Sequence, residues 1–262
     1  VPIAGVLGDQ HAALLAHGCD RPGLVKCTYG TGSFLVAHTG PAPVASSHRL
    51  VATVAWSGPG SAIGYALEGS LFTTGAAVQW LRDGLGLIER AEETEPIARS
   101  IPDSGGVYFV PALSGLGAPH WDMDARGLLI GLTRGSGRAQ VVRAVLESIA
   151  FQTREVTDAL ARDTGVPLAA LKVDGGATRN DFLMQCQADV LGVPVERPRF
   201  TDTTVQGAAF AAGLTVGHWR EYTALVAARP IDRVFDPSER QRATQATFGV
   251  WQKAVERSRH WA

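Results

Sequence analysis

The sequence predicts an α/β fold with a hairpin-rich entry, and three observations carry that prediction. Two pairs of β-prone runs each flank a glycine-containing break near the start. A long stretch in the middle keeps helical apolar spacing. Beyond it, short strand-like runs alternate with helix-like ones, the pattern of an α/β core. With 262 residues the chain allows one large domain or two small ones. No linker, low-complexity tract or repeat divides it, so residues 1–262 read as a single unit.

The elements follow in order. Val1 to Leu7 is an apolar, strand-like run leading into Gly8-Asp9-Gln10, and Ala12 to Leu15 looks helical. Leu24 to Tyr29 and Ser33 to His38 surround Gly30-Thr31-Gly32, where glycine supplies the positive φ a tight turn requires. Ala52 to Trp56 and Ala62 to Leu67 flank Gly58-Pro59-Gly60 in the same way. Ala76 to Leu87 reads as a helix. So does Arg138 to Arg162, where Val141, Val145, Ile149, Val156 and Leu160 share one face. Leu171 to Val173 is a short strand entering Asp174-Gly175-Gly176, followed by a helix over Asn180 to Leu191 and a strand over Val193 to Arg197. Thr203 to Val216 is a helix of small residues suited to close packing, and Ser238 to Trp261 a final amphipathic helix.

Composition excludes several functions. Basic and acidic residues number 24 and 25, a net charge of −1, so there is no electrostatic footprint for nucleic acid or an anionic membrane. No apolar run reaches the ~20 residues of a membrane span, and no signal peptide opens the chain. Three cysteines without a C-x-x-C pair suit a reducing cytoplasm and read as small buried hydrophobes. The seven histidines lack metal-ligand spacing, so no metal site is expected. Walker A and G-x-G-x-x-G patterns are missing, and Ser114 lacks a nucleophile elbow.

What remains is a set of glycine turns and one carboxylate. Gly30-Thr31-Gly32, Thr74-Gly75 and Asp174-Gly175-Gly176-Ala177 each place bare backbone or helix-terminal N–H groups where a polyphosphate could approach. Asp9, after an apolar run, occupies a common position for a general base, or else serves as a helix cap. Gln10 either bonds a hydroxylated ligand or faces solvent.

Together these motifs resemble the FGGY carbohydrate kinases. The likeness is carried by Gly8-Asp9-Gln10, Thr28-Tyr29-Gly30-Thr31-Gly32, Tyr65-Ala66-Leu67-Glu68-Gly69, Gln79-Trp80-Leu81-Arg82-Asp83, Gly115 to Pro119 with Trp121-Asp122, and Asp174 to Ala177. Gly127, Gly131, Gln140, Ala144 and Glu147 fit the family's second signature. The resemblance implies an actin-like ATPase (ribonuclease H-like) fold with a mixed central sheet flanked by helices. It implies transfer of the ATP γ-phosphoryl group, with Mg2+, to a polyol, and the motifs favour the branch that phosphorylates glycerol. Only the C-terminal, nucleotide-binding half is expected here. The N-terminal substrate and phosphate domain is absent, and a start at Val1 agrees with truncation or proteolysis, so the isolated chain is expected to be inactive.

Carried over by position, the resemblance makes Asp9 the catalytic base. Asp9, Gln10 and Phe34 would bind the polyol, and Thr31, Gly32, Gly75, Gln79, Gly175, Gly176 and Asn180 the nucleotide. His11 stands where the family commonly has glutamine. A cytoplasmic homo-oligomer is the family's usual form. The alternatives are an FGGY kinase for a ketopentose, ribitol or gluconate, or a non-catalytic actin-like nucleotide-binding module.

Overall fold

The computed structural model describes residues 3–58 and 62–262. Val1 and Pro2 of the expected first strand, and Pro59 and Gly60 of the second turn, lie outside the described residues. Helix α1 spans Asp9–Ala16. Strands β1 (Leu24–Tyr29) and β2 (Ser33–Gly40) form an antiparallel hairpin in which Tyr29 pairs with Ser33 across the glycine turn. Strands β3 (Val51–Val54) and β4 (Tyr65–Leu71) form a second antiparallel pair, and β4 also pairs with β2.

Helix α2 covers Gly75–Asp83, shorter than its apolar pattern suggested, because Gly84 ends it and Gly86 turns the chain at φ +62°. There follow α3 (Thr94–Arg99), β5 (Tyr108–Val110) and β6 (Leu128–Ile130), then the 27-residue α4 (Arg138–Thr164). The last third alternates β7 (Ala170–Asp174), α5 (Asp181–Leu191), β8 (Val195–Pro198), α6 (Thr203–Thr215), α7 (Tyr222–Ala227), β9 (Ile231–Phe235) and α8 (Gln241–Ser258).

Among the described residues, seven strands make one sheet in the order β3-β4-β2-β1-β7-β8-β9. The β1–β7 and β7–β8 pairs are parallel and the other neighbours antiparallel, so the sheet is mixed. Strand β1 lies in the middle and is buried on both faces. Val25, Cys27 and Tyr29 join the core under α4 and α5, with Leu35, Ile149, Val156, Leu160 and Leu183. Leu24 faces the opposite layer with Leu14 of α1 and Val36. The outer side of α4 supports a third cluster, in which Phe151 meets Phe248 and the fully buried Trp251 of α8.

The small residues of α6 have a packing role. A Cβ on Gly207 would lie 1.8 Å from the Ala12 carbonyl oxygen, so this contact between α1 and α6 requires glycine. Residues 3–7 form no strand. The run has no sheet partner: Ile3 and Val6 are 86% and 83% exposed, and only Leu7 packs inward, beside Leu15 and Phe210. All three cysteines are free and buried. No helix among the described residues is long and apolar enough to cross a membrane.

Candidate functional site

The β1–β2 turn is braced from behind. Gly30 N–H donates to the Gly32 carbonyl at 2.8 Å, while Gly75 N–H donates to Gly30 O at 3.0 Å and Ala76 N–H to Thr31 O at 3.0 Å. The first N–H groups of α2 are therefore spent on the turn and do not face a ligand, contrary to the expectation from the Thr74-Gly75 break. The N–H groups of Thr31 and Gly32 take part in none of these bonds. Close approach explains the glycines: a Cβ on Gly32 would fall 2.3 Å from Leu71 O, and one on Gly75 2.6 Å from Gly30 O.

The second glycine loop follows β7. Gly175 has φ +91°, and its Cβ would sit 2.3 Å from the Tyr29 carbonyl oxygen. At Gly176 a Cβ would meet no atom within 4 Å. A short 3-10 turn, Gly176–Arg179, leads to Asn180, whose Oδ1 caps α5 by accepting from Leu183 N–H at 2.9 Å and whose Nδ2 donates to Thr94 Oγ1 at 3.0 Å.

Between the two loops lies a cavity of about 470 Å³. Thr31, Gly75, Gln79, Gly176 and Asn180 all line it, over an apolar floor of Val78, Leu146 and Leu183. Gly32 and Gly175 do not line it; they hold the backbone that does. Arg179 and Glu92, which the sequence reading did not single out, border the same space. A volume of this size is in the range of small-molecule sites, roughly 300–1,000 Å³.

The remaining residues gather elsewhere. Asp9 is exposed at the start of α1, its Oδ1 accepting from Gln10 N–H at 2.8 Å and its Oδ2 from Gln10 Nε2 at 3.3 Å. Gln10 Oε1 accepts from Lys26 Nζ, which also donates to Thr28 Oγ1 at 3.0 Å and to the Phe34 carbonyl at 3.2 Å. The Phe34 ring is 37% exposed. Lys26 thus ties α1, β1 and β2 together beneath Asp9. It escaped the sequence reading, although a lone cation inside the apolar run Leu-Val-Lys-Cys-Thr-Tyr was the available signal. Burial pulls its pKa down from the ordinary lysine value, with the Asp174 carboxylate opposing. His11 is apart from this group, its Nε2 3.3 Å from Thr53 Oγ1.

Asp174 connects the two regions. Its neighbour across the β1–β7 pair is Thr28, and its Oδ2 meets His17 Nε2 at 2.9 Å and accepts from the Thr203 hydroxyl. Arg229 Nη1 lies 3.0 Å from His17 Nδ1. Arginine only donates, so Nδ1 accepts and Nε2 carries the proton given to Asp174. The ring is therefore neutral, and burial pulls its pKa down although Asp174 opposes the shift. Burial alone would raise the Asp174 carboxyl, but the His17 and Thr203 hydrogen bonds outweigh it and hold the carboxyl below the usual range.

This architecture has close counterparts. Residues 25–216 match the FGGY family of carbohydrate kinases, C-terminal domain. The glycerol kinase of Gloeobacter violaceus is 76% identical over 260 residues, covering 99% of this chain and 52% of that protein. The glycerol kinase of Acaryochloris marina is 63% identical over 265 residues, 100% of this chain and 53% of that protein. The chain spans about half the length of the curated relatives it matches. The crystal structure of Plasmodium falciparum glycerol kinase with ADP superposes with a TM-score of 0.90 at 38% identity, over 96% of this chain and half of that one. A ligand-bound xylulose kinase from Lactobacillus acidophilus, at 22% identity and a TM-score of 0.84, shares the fold.

Mixed sheet, flanking helices and the cavity between two glycine loops define an actin-like ATPase fold. Within that class, the chain belongs to the FGGY family of carbohydrate kinases.

Proposed function

We propose that this chain is the C-terminal, nucleotide-binding half of a cytoplasmic kinase that transfers the γ-phosphoryl group of ATP to glycerol, the N-terminal half supplying the facing wall of the cleft. The observation that carries the reading is the pairing of a nucleotide-sized cavity, between the turns at Gly30–Gly32 and Gly175–Gly176, with an exposed Asp9 carboxylate whose side-chain partner is Gln10. The family membership and the 76% identity to a glycerol kinase support it.

In this reading the adenosine lies in the cavity beside Gly176 and Asn180, and the phosphates run towards the free N–H groups of Thr31 and Gly32. Glycerol sets its carbons on the Phe34 ring and its hydroxyls on Asp9 and Gln10. A carboxylate is too weak a base to form an alkoxide in advance. Phosphoryl transfer passes through a loose transition state, however, so Asp9 has only to orient the hydroxyl and accept its proton late, once bonding to phosphorus has acidified it.

Mg2+ would neutralise charge developing on the phosphates. Among the described residues no three His, Cys, Asp or Glu side chains gather as a metal site, and Glu95 at the cavity edge is already bound to Arg99 and to Asp181 N–H.

The test is Asp9→Asn in the intact enzyme. Glycerol-dependent ADP release should fall at least 100-fold, on the scale of general-base catalysis (roughly 10²–10⁴), while ADP affinity stays within twofold. Turnover within a factor of ten of the parent would remove Asp9 from the role.

A further inference from the structure

Lys26 is a fully buried ammonium in the middle of the sheet, and all its donors are accounted for. Its three N–H groups meet three oxygens, those of Gln10, Thr28 and Phe34, each from a different part of the fold. No donor is left over to touch a ligand. What Lys26 determines is the state of its neighbours.

Lysine can only donate, so the Gln10 atom it meets must be the amide oxygen. That fixes which edge of the amide faces outward: the NH2 group, 3.3 Å from Asp9 Oδ2. A carboxylate acceptor and an amide donor then stand side by side at the same surface. A hydroxyl satisfies both at once, giving its proton towards Asp9 while accepting from Gln10. An ether can only accept, and a carboxylate is repelled by Asp9.

We propose that Lys26 is a positioning residue that locks the Gln10 amide with its NH2 edge beside Asp9, and so makes this site selective for neutral hydroxyl compounds. The inference rests on the reading of Asp9 and Gln10 as the polyol-facing pair. It adds a residue that never contacts the substrate but decides what Gln10 offers it.

The experiment is a kinetic double-mutant cycle in the intact enzyme with Lys26→Met, Gln10→Ala and both. Glycerol-dependent ADP release by the parent is measured first. If none occurs, the functional reading fails and this inference falls with it. With an active parent, Lys26→Met should raise the glycerol KM about tenfold and leave the ATP KM within twofold. Gln10→Ala should do the same, and the double variant should be no worse than the single ones. An unchanged glycerol KM in Lys26→Met, or effects that multiply in the double variant, overturns the inference while leaving the function intact.

Should Lys26→Met not fold, Gln10→Glu decides. It keeps an oxygen on the ammonium and removes the NH2 edge. The glycerol KM should rise about tenfold with no fall in the thermal midpoint. A lowered midpoint, or a normal KM, would show that Lys26 does not hold Gln10 in this orientation.

Discussion

The two adjacent glycines after β7 make opposite predictions when each is replaced by alanine. Gly175 has φ +91° and ψ 168°, a region that is essentially glycine-only and costs other residues about 1–3 kcal/mol. Its added Cβ would also lie within 2.3–2.9 Å of Tyr29 O, C and N, which are backbone atoms of the central strand and cannot swing aside. Forcing that strand and loop apart resembles overpacking, a further 1–3 kcal/mol or so. Gly175→Ala should therefore destabilise by about 4 kcal/mol, which lowers the thermal midpoint by roughly 10 °C. At Gly176 the Cβ meets nothing, so Gly176→Ala should stay within about 0.5 kcal/mol of the parent. The same methyl borders the cavity, so the second variant should bind ADP at least tenfold more weakly. Urea unfolding followed by tryptophan fluorescence and calorimetric ADP titration separate the two effects. If Gly175→Ala costs less than 1 kcal/mol, the close-approach argument is wrong. If Gly176→Ala binds ADP normally, the nucleotide does not pass over this loop.

Two further outcomes follow from buried polar groups. Tyr29 Oη donates to Gln187 Oε1 at 2.8 Å in the core, and Gln187 Nε2 donates to Ala150 O at 3.2 Å. Tyr29→Phe strands the glutamine oxygen and should cost about 1–3 kcal/mol by urea unfolding, whereas Tyr29→Phe with Gln187→Met should cost less than the two singles added; strict additivity would deny the bond. The neutral His17 makes stability pH-dependent. The unfolded chain takes up a proton near the ordinary histidine value of about 6.5 and the folded one only at lower pH, so the contribution is full above that value and lost as pH falls. The unfolding free energy from urea titrations between pH 7.5 and 5 should decline by up to about 1.4 kcal/mol per unit, and His17→Gln should flatten the slope; parallel profiles would refute the assignment.

Local rules made much of the fold legible. A Gly-Thr-Gly break between β-prone runs is a hairpin whatever surrounds it, and the helical period of the α4 run was readable. Ile149, Val156 and Leu160 lie on the sheet-side core, while Val141 and Val145 of the same predicted face pack in a separate cluster. Elements of a few residues gave no such signal. Strands β5 and β6 have three residues each and α7 six, too few for a period to be read. The apolar run before Asp9 misled for the opposite reason: it has the composition of a strand, but Ile3 and Val6 point to solvent and no neighbour pairs with it. The glycines and Asn180 around the cavity were readable as motifs. Lys26 showed only as a lone cation in an apolar run, because its role exists only once residues 10, 28 and 34 are folded around it. The spent N–H groups of α2 were hidden too, since their acceptors come from a turn over forty residues earlier.

The central position of β1 has a mechanical consequence. The strand carries Lys26, beneath Asp9, and ends at the turn that contains Thr31. Lys26 and Tyr29, the last residue of the strand, are three steps apart, about 10 Å at the extended rise of ~3.3 Å per residue. A strand hydrogen-bonded on both sides neither stretches nor shortens, so β1 holds the surface at Asp9 and the turn at Thr31 a constant distance apart. Under the proposed function, this half would then serve as an anvil whose two working points do not shift relative to each other.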